Sequence, residues 1–455
     1  MLLIPITLDS ETNNFKSKLE KEKGQLINKL LTGDLLGFEK DLFCLVSGFY
    51  DKLCTTILNA VSTSPEMKSA LLQFGGRNGL GKLEAREASL QLRTGTTIKI
   101  QGHYAKESKF KSYKGARHLS MSYWGCLKNA TPMYYSHVSI LSVLCPSFEV
   151  SKALLDKLNI KSAYNRIRAL SEQLGTNCLE DRVGNILDEN ESLAGKRVVI
   201  SVDGGRTRVR DNIEGTGAYP KYGTPWKEPK LLVISTIGGD GKTPKGVLPI
   251  YDSVLGNCDK CFELMAKYLR KLEIEKAREV QFVADGATWI WNRAKQMLLG
   301  LGVEKEKVTE TVDYYHAVEH LTGLVDSFPA KVKREQGAKL FVKFKQYLWN
   351  GETWKIIDAV KNMKVRATKK VMGKLTYFLK NEKRMRYGCF RAKKQLCGSG
   401  IVESAIRRVI NMRFKCPSSF WDIKNLEPLI YLRSALLSNR WDILIKNFTL
   451  TWHKY

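Results

Sequence analysis

Three acidic residues, Asp203, Asp285 and Glu403, are of a type and spacing suited to metal-assisted chemistry. Asp203 closes the apolar run Arg197-Val-Val-Ile-Ser-Val-Asp and is followed by two glycines. Asp285 closes Val280-Gln-Phe-Val-Ala-Asp-Gly-Ala, and Glu403 lies in Gly398-Ser-Gly-Ile-Val-Glu-Ser-Ala-Ile-Arg-Arg-Val, which reads as a helix. Two strand-end aspartates and a helical glutamate can hold two divalent cations, and such a pair drives in-line displacement at phosphorus. Carboxylate oxygens suit Mg²⁺, with Mn²⁺ as a substitute. Singly, each acid has a structural explanation. Asp-Gly pairs make ordinary strand-exit turns, and Glu403 with Arg407 is an ordinary pair one helical turn apart. Their joint placement favours catalysis. Asp313 and His316, at the end of the next strand, are expected near the metals as supporting groups, with Asp313 also an alternative ligand.

The elements that must position these acids follow from the hydrophobic pattern. Strands are predicted at 197–203, 230–237 and 246–251, and then a helix at 261–275. A strand at 279–285, a helix at 288–300 and a strand at 307–313 come next, leading into another helix. Residues 331–395 read as basic helices without strand signals, and 424–448 as a further helix. The order strand-strand-strand-helix-strand-helix-strand-helix is that of an α/β, ribonuclease-H-like catalytic core. Its mixed sheet opens antiparallel and continues parallel. The expected organisation is a helical N-terminal region (1–75) and a DNA-binding region (76–195). The first part of the core (196–330), a basic helical insertion before the last acid (331–395) and C-terminal core helices (396–455) complete it.

At 455 residues, with 43% hydrophobic and 26% charged content, the chain reads as globular and multidomain. No apolar stretch reaches the roughly 18 residues needed to span a bilayer, and the opening residues lack the pattern of a secretion signal. Ten scattered cysteines read as reduced thiols. The net charge of +28 points to a polyanionic partner, because neutralising phosphates releases counterions. Residues 331–400 alone hold 20 Lys and Arg against four acids, Glu335, Glu352, Asp358 and Glu382. Lys364, Arg366, Lys369 and Lys370 there are candidate phosphate contacts. So are Lys109, Lys111 and Lys114, interleaved with Phe110 and Tyr113 in a loop where rings can stack on bases. Two helices within 149–175 resemble a helix-turn-helix that would be capped by Ser162 and present Arg166 and Arg168 to DNA. Any helical hairpin gives the same pattern.

Asp-Gly-Gly-Arg-Thr-Arg-Val at 203–209, Ala-Asp-Gly-Ala-Thr-Trp-Ile-Trp-Asn at 284–292 and Val-Asp-Tyr-Tyr-His-Ala-Val-Glu-His-Leu at 312–321 form three ordered motifs. Gly-Ser-Gly-Ile-Val-Glu-Ser-Ala at 398–405 and Leu-Arg-Ser-Ala-Leu-Leu-Ser-Asn-Arg-Trp-Asp at 432–442 add two more. Together they resemble bacterial insertion-sequence transposases of the DDE class, most of all the ISKra-type branch, over about 196–445. The resemblance implies a ribonuclease-H core interrupted by a helical insertion, for which the 118 positions from Asp285 to Glu403 leave room. It implies that Asp203 and Asp285 bridge or flank two Mg²⁺ ions and that Glu403 completes one site. Water would cut the phosphodiester at the element end, and the freed 3′-hydroxyl would attack target DNA. The implied partners are double-stranded DNA, as transposon ends and target, and a second copy in a homodimer or larger assembly. The implied setting is the bacterial cytoplasm, at the nucleoid, with no membrane partner. Trp289, Trp291 and Arg293 are candidates for holding a splayed end base, although the tryptophans also suit a core. Arg407, Arg408 and Arg413 are candidates for gripping phosphates. A cysteine-pair zinc ribbon, common in the family, is missing from the N-terminal region. Rival functions are a non-catalytic DNA-binding protein descended from a transposase, or a structure-specific nuclease on the same core.

Three motifs suggest other chemistry less well. His316-Ala-Val-Glu319-His320 fits the reversed zinc-protease spacing but explains neither the charge nor the remaining acids. Cys258-Asp-Lys-Cys261 has no second cysteine pair. Gly76-Arg-Asn-Gly-Leu-Gly81-Lys82 outlines a phosphate loop, but Leu83 stands where Ser or Thr should.

Overall fold

A computed structural model describes residues 6–77, 80–107, 117–214, 221–363, 368–417 and 419–451. The chain divides into two compact units, Leu179–Trp441 and Met1–Cys178 with Asp442–Tyr455.

The larger unit is built on a five-stranded sheet. Its strands are β1 (Arg197–Gly204), β2 (Lys230–Ile237), β3 (Ile250–Val254), β4 (Glu279–Ala284) and β5 (Val308–Val312), in the spatial order β5-β4-β1-β2-β3. β1, β2 and β3 pair antiparallel, whereas β4 joins β1 and β5 joins β4 in parallel. β1, β3 and β4 are buried almost throughout, as expected of strands with near-continuous apolar sequence. The third strand begins at Ile250 rather than 246, because Pro249 has no N–H for the ladder and Pro244 lies just upstream.

The two faces of the sheet are covered differently. Helix α1 (Cys258–Lys271), capped by Asn257, stacks Phe262 on Phe282 at 6.2 Å on one face. On the other face Val199, Ile237 and Val283 pack with Leu396 and Ile401. After β5 come α2 (Tyr314–Asp326), α3 (Ala330–Asn350), α4 (Thr353–Lys361) and α5 (Lys369–Asn381). The chain then returns through residues 393–399 to α6 (Gly400–Ala405). A bidentate contact of Arg182 with the fully buried Asp252 of β3 ties the outer strand down, at 2.9 and 2.5 Å. Tyr268 Oη also donates to Asp252 at 2.8 Å, and Arg182 reaches Glu427 at 2.6 Å.

Outside the sheet lie the strand Thr207–Glu214 and its short partners Lys221–Gly223, Trp226–Lys227 and, in parallel, Trp421–Asp422, which the alternation pattern does not reveal.

In the other unit, helices Asp9–Leu31 and Leu35–Thr63 form a hairpin with Phe15 stacked on Phe49 at 4.4 Å. Helix Pro65–Arg77 follows, and then an antiparallel pair, Leu80–Gln91 with Thr97–Glu107. Helix then strand is the reverse of a phosphate-loop arrangement. Helices Pro132–Leu144, Phe148–Lys157 and Tyr164–Cys178 also belong to this unit, as does all but the first residue of Trp441–Thr451. The single helix expected over 424–448 is two, Ile423–Leu437 and Trp441–Thr451. The N-terminal turn of Tyr164–Cys178 begins at the carbonyl of Ala163, with Ser162 buried. Ser162 is therefore not the expected cap. No helix among the described residues is long and apolar enough to cross a membrane.

Candidate metal centre

β1 carries Asp203 and β4 leads into Asp285. The parallel register pairs Ser201 with Val283, so the two aspartates come at equal height two residues later. Successive side chains on a strand point to opposite faces. Asp203 therefore shares a face with Val199 and Ser201, and Asp285 with Gln281 and Val283. That face is the one covered by Leu396 and Ile401, and α6 packs on β1 and β2. Glu403 thus approaches the aspartates from the same side of the sheet.

Each acid is anchored through one oxygen. The Gly204 N–H donates to Asp203 Oδ1 at 2.7 Å, the Ala287 N–H to Asp285 Oδ1 at 3.0 Å, and Ser399 Oγ to Glu403 Oε1 at 3.2 Å. The other oxygen of each has no hydrogen-bond partner among the described residues. Burial pushes the Asp203 carboxyl up to about 6, and Asp285 and Glu403 add to the rise, while the Gly204 N–H and His316 oppose it. A carboxylate group this short of positive charge favours either a proton or a cation.

Asp313 and His316 join the cluster. Asp313 is fully buried and caps α2, its Oδ1 accepting from the His316 N–H at 2.7 Å and its Oδ2 from the Ser399 N–H. It thereby links β5, α2 and the start of α6. His316 Nε2 is 4.0 Å from Glu403 Oε1, and Nδ1 is 3.5 Å from Glu319 Oε2. One ligand atom each from Asp313, His316 and Glu403 lie within 4.8 Å of one another, a set that can hold a metal ion. Asp313 so occupied by backbone donors is better suited to supporting the site than to leading it. Asp313, His316 and Glu403, two carboxylates and an imidazole, are a donor set that fits a hard divalent cation, and neither Asp203 nor Asp285 belongs to that group among the described residues. His320, by contrast, lies flat on the ring of Tyr377, with centroids 3.6 Å apart, so the protease-like histidine pair does not converge on one point.

The glycines after the aspartates serve clearance rather than unusual dihedrals, since Gly204, Gly205 and Gly286 do not have positive φ. A Cβ on Gly205 would lie 2.5 Å from Ile410 Cδ1, and one on Gly286 would lie 2.2 Å from Tyr377 Cε2.

The motifs give no notice of the hydrogen bonds that hold the Glu403 segment in place. Gln281, buried in β4, donates from Nε2 to the Leu396 carbonyl at 2.7 Å and accepts from its N–H at 2.9 Å. A glutamine within the apolar run Val280–Ala284 is the one sequence signal for them. Beyond Glu403 the helix widens to a π-helix over Ile406–Asn411, where the Arg408 carbonyl accepts from Arg433 Nε and Nη2 at 2.8 and 2.6 Å. Such widened turns recur at functional sites.

The other candidates divide. Lys369, Lys370 and Arg407 are exposed. Arg408 is exposed but donates to Tyr251 Oη at 2.7 Å. Arg168 pairs with Glu172 at 2.8 Å. Arg166 is half-buried and holds Gln91 Oε1 at 3.1 Å and the Lys128 carbonyl at 2.5 Å, a structural use of a residue expected to face DNA. Trp289 packs edge-on against Phe262 under the Lys230 ammonium, and Arg293 pairs with Asp259 at 2.7 Å, so both are engaged within the fold. Arg413 is buried over Trp421 and does not face phosphates. Glu403 neighbours His316 and Ser399 rather than forming the expected pair with Arg407. Lys109, Lys111, Lys114, Lys364 and Arg366 lie outside the described residues.

No family model and no curated protein matches this sequence. Among solved structures, the chain is similar to the Drosophila P element transposase strand transfer complex at 13% identity, over 70% of this chain and 81% of that one. The TM-score is 0.26, too low for the likeness to bear on function. The functional reading therefore stands on the site.

Proposed function

We propose that this chain is a DNA transposase of the DDE class, with a ribonuclease-H-like core that cuts phosphodiesters at transposon ends and joins them to target DNA. The observation that carries the reading is the placement of the acids. Asp203 and Asp285 come at equal height from adjacent parallel strands, and Glu403 comes from the helix laid over the same face. The strand order, three antiparallel followed by two parallel, supports the core assignment. The five ordered motifs support the family, and with it a bacterial insertion-sequence origin.

Two Mg²⁺ ions, or Mn²⁺ in their place, would supply an activated attacking hydroxyl and a counter-charge for the leaving oxygen. The protein's own part is positioning. Asp203 and Asp285 each keep one oxygen fixed by backbone N–H and offer the other. Glu403, half-exposed and steadied by Ser399, offers a third carboxylate from the solvent side. Asp313 holds the α2 and α6 N-termini together behind them. The basic segment between Asp285 and Glu403, with Lys364, Arg366, Lys369 and Lys370, is the platform for double-stranded DNA in this reading, and Arg407 lies one helical turn beyond Glu403. Because two ends must be brought together, the working unit is a homodimer or larger, acting on DNA in the bacterial cytoplasm.

The test uses labelled DNA carrying the sequences that flank the gene, with purified protein and Mg²⁺. Wild type, Asp203→Asn, Asp285→Asn and Glu403→Gln are compared. Boundary cleavage and joined products from wild type alone, with DNA binding kept in all four, are expected. Cleavage without joining identifies a nuclease, and binding without cleavage a DNA-binding relic.

A further inference from the structure

The hydroxyl of Tyr377 is buried and has no hydrogen-bond partner among the described residues. Tyr377 belongs to α5, inside the basic segment that separates Asp285 from Glu403. Its ring has two close neighbours. One face lies on His320, with planes 13° apart. Its hydroxyl end lies against the turn after Asp285, where a Cβ on Gly286 would sit 2.2 Å from Tyr377 Cε2 and 2.6 Å from its hydroxyl oxygen. The hydroxyl is therefore fixed against the backbone of the residue next to Asp285. Burial raises its pKa, and the carboxylates of Asp285, Asp313 and Glu319 raise it further.

A buried hydroxyl without a partner is rare in folded proteins, because losing hydration is not offset. Phenylalanine would fill the same space without that penalty. A tyrosine held in this way suits a site whose partner arrives with a ligand. The neighbouring carboxylates indicate which ligand, since hard divalent cations carry several waters into their sites.

We propose that Tyr377 is a positioning residue of the acid centre, its hydroxyl donating to a water of a hydrated divalent cation beside Asp285. The proposal rests on the reading of Asp203, Asp285 and Glu403 as a cation site. It makes the helical insertion a part of that site as well as a DNA platform. Cation binding and the docking of α5 on the Asp285-Gly286 turn are then linked, each favouring the other.

The test is Tyr377→Phe in the full chain, with Mn²⁺ as the probe. Mn²⁺ affinity is read by titration calorimetry and electron paramagnetic resonance, and unfolding is followed in EDTA. Loss of one hydrogen bond should weaken Mn²⁺ binding about five- to tenfold. The melting temperature in EDTA should stay the same or rise, since an unpaired buried hydroxyl has been removed. Mn²⁺ affinity within twofold of wild type, or a clearly lower melting temperature in EDTA, overturns the proposal. Asp203→Asn in the same series separates the two ideas. If Asp203→Asn loses Mn²⁺ while Tyr377→Phe keeps it, only the tyrosine assignment fails. If wild type binds no Mn²⁺, or Asp203→Asn binds it as well as wild type, the cation site itself fails.

Discussion

Replacing Asp203 with Asn should stabilise the metal-free protein at neutral pH while removing its response to metal. Burial, reinforced by Asp285 and Glu403, raises the Asp203 carboxyl from 3.8 to about 6. A raised carboxyl pKa means that the fold prefers the protonated form. Its contribution to stability is fully present below about pH 3.8 and is lost as pH rises through about 6. Above that range the wild type carries a buried charge that Asn lacks. A shift of about two units corresponds to roughly 3 kcal/mol. Discounted for the partly exposed setting, about 2 kcal/mol is a fair expectation. For a unit of this size that is a rise of about 4–8 °C in melting temperature. Calorimetry in EDTA should show the variant melting above wild type at about pH 7.5, with the gap closing towards about pH 4.5. Saturating Mg²⁺ should reverse the order, because a ligand at about a hundred times its Kd adds about 2.7 kcal/mol to the protein that binds it. A variant that melts at or below wild type in EDTA at the higher pH, or a gap that stays constant with pH, refutes charge burial at Asp203.

Gln281→Leu should orphan both the N–H and the carbonyl of Leu396, lowering stability by about 2–4 kcal/mol in urea unfolding. Amide exchange should speed up over residues 395–403, and unchanged exchange there would show that Gln281 does not hold the Glu403 segment. Arg182→Met leaves the fully buried Asp252 without its cation, and a loss of about 3–5 kcal/mol is expected by the same unfolding measurement. A loss below about 1 kcal/mol would mean that Tyr268 and the backbone satisfy Asp252 alone. Changing Lys364, Arg366, Lys369 and Lys370 to Ala should weaken binding to all duplex sequences alike. The slope of log affinity against log salt should fall by about 0.9 for each phosphate no longer neutralised, and an unchanged slope excludes this segment as the DNA platform.

The strands were legible because buried central strands require long apolar runs, and 197–203, 230–237 and 279–285 supply them. The aspartates were legible because the first and last of these runs end on one. The spacing of runs and helices also gave the order of elements, from which antiparallel and parallel pairing follow. What escaped depends on partners distant in sequence. The π-helix after Glu403 is matched by a bond from Arg433, 25 residues on from Arg408, and nothing local in Ile406–Asn411 announces it. The roles of Gly205 and Gly286 depend on Ile410 and Tyr377, which come from remote helices. Arg166 and Arg293 read as free cations along the sequence, yet each meets its partner only in the folded chain. The strand Thr207–Glu214 lacks the apolar density that marks the sheet strands.

The most direct measurement is the anomalous diffraction of crystals soaked in Mn²⁺. Metal density bounded by Asp203 and Asp285, with Glu403 contributing, is expected, and it should disappear in Asp203→Asn crystals. Metal held by Asp313, His316 and Glu403 without either strand-end aspartate, or no bound metal in wild-type crystals, would contradict that expectation.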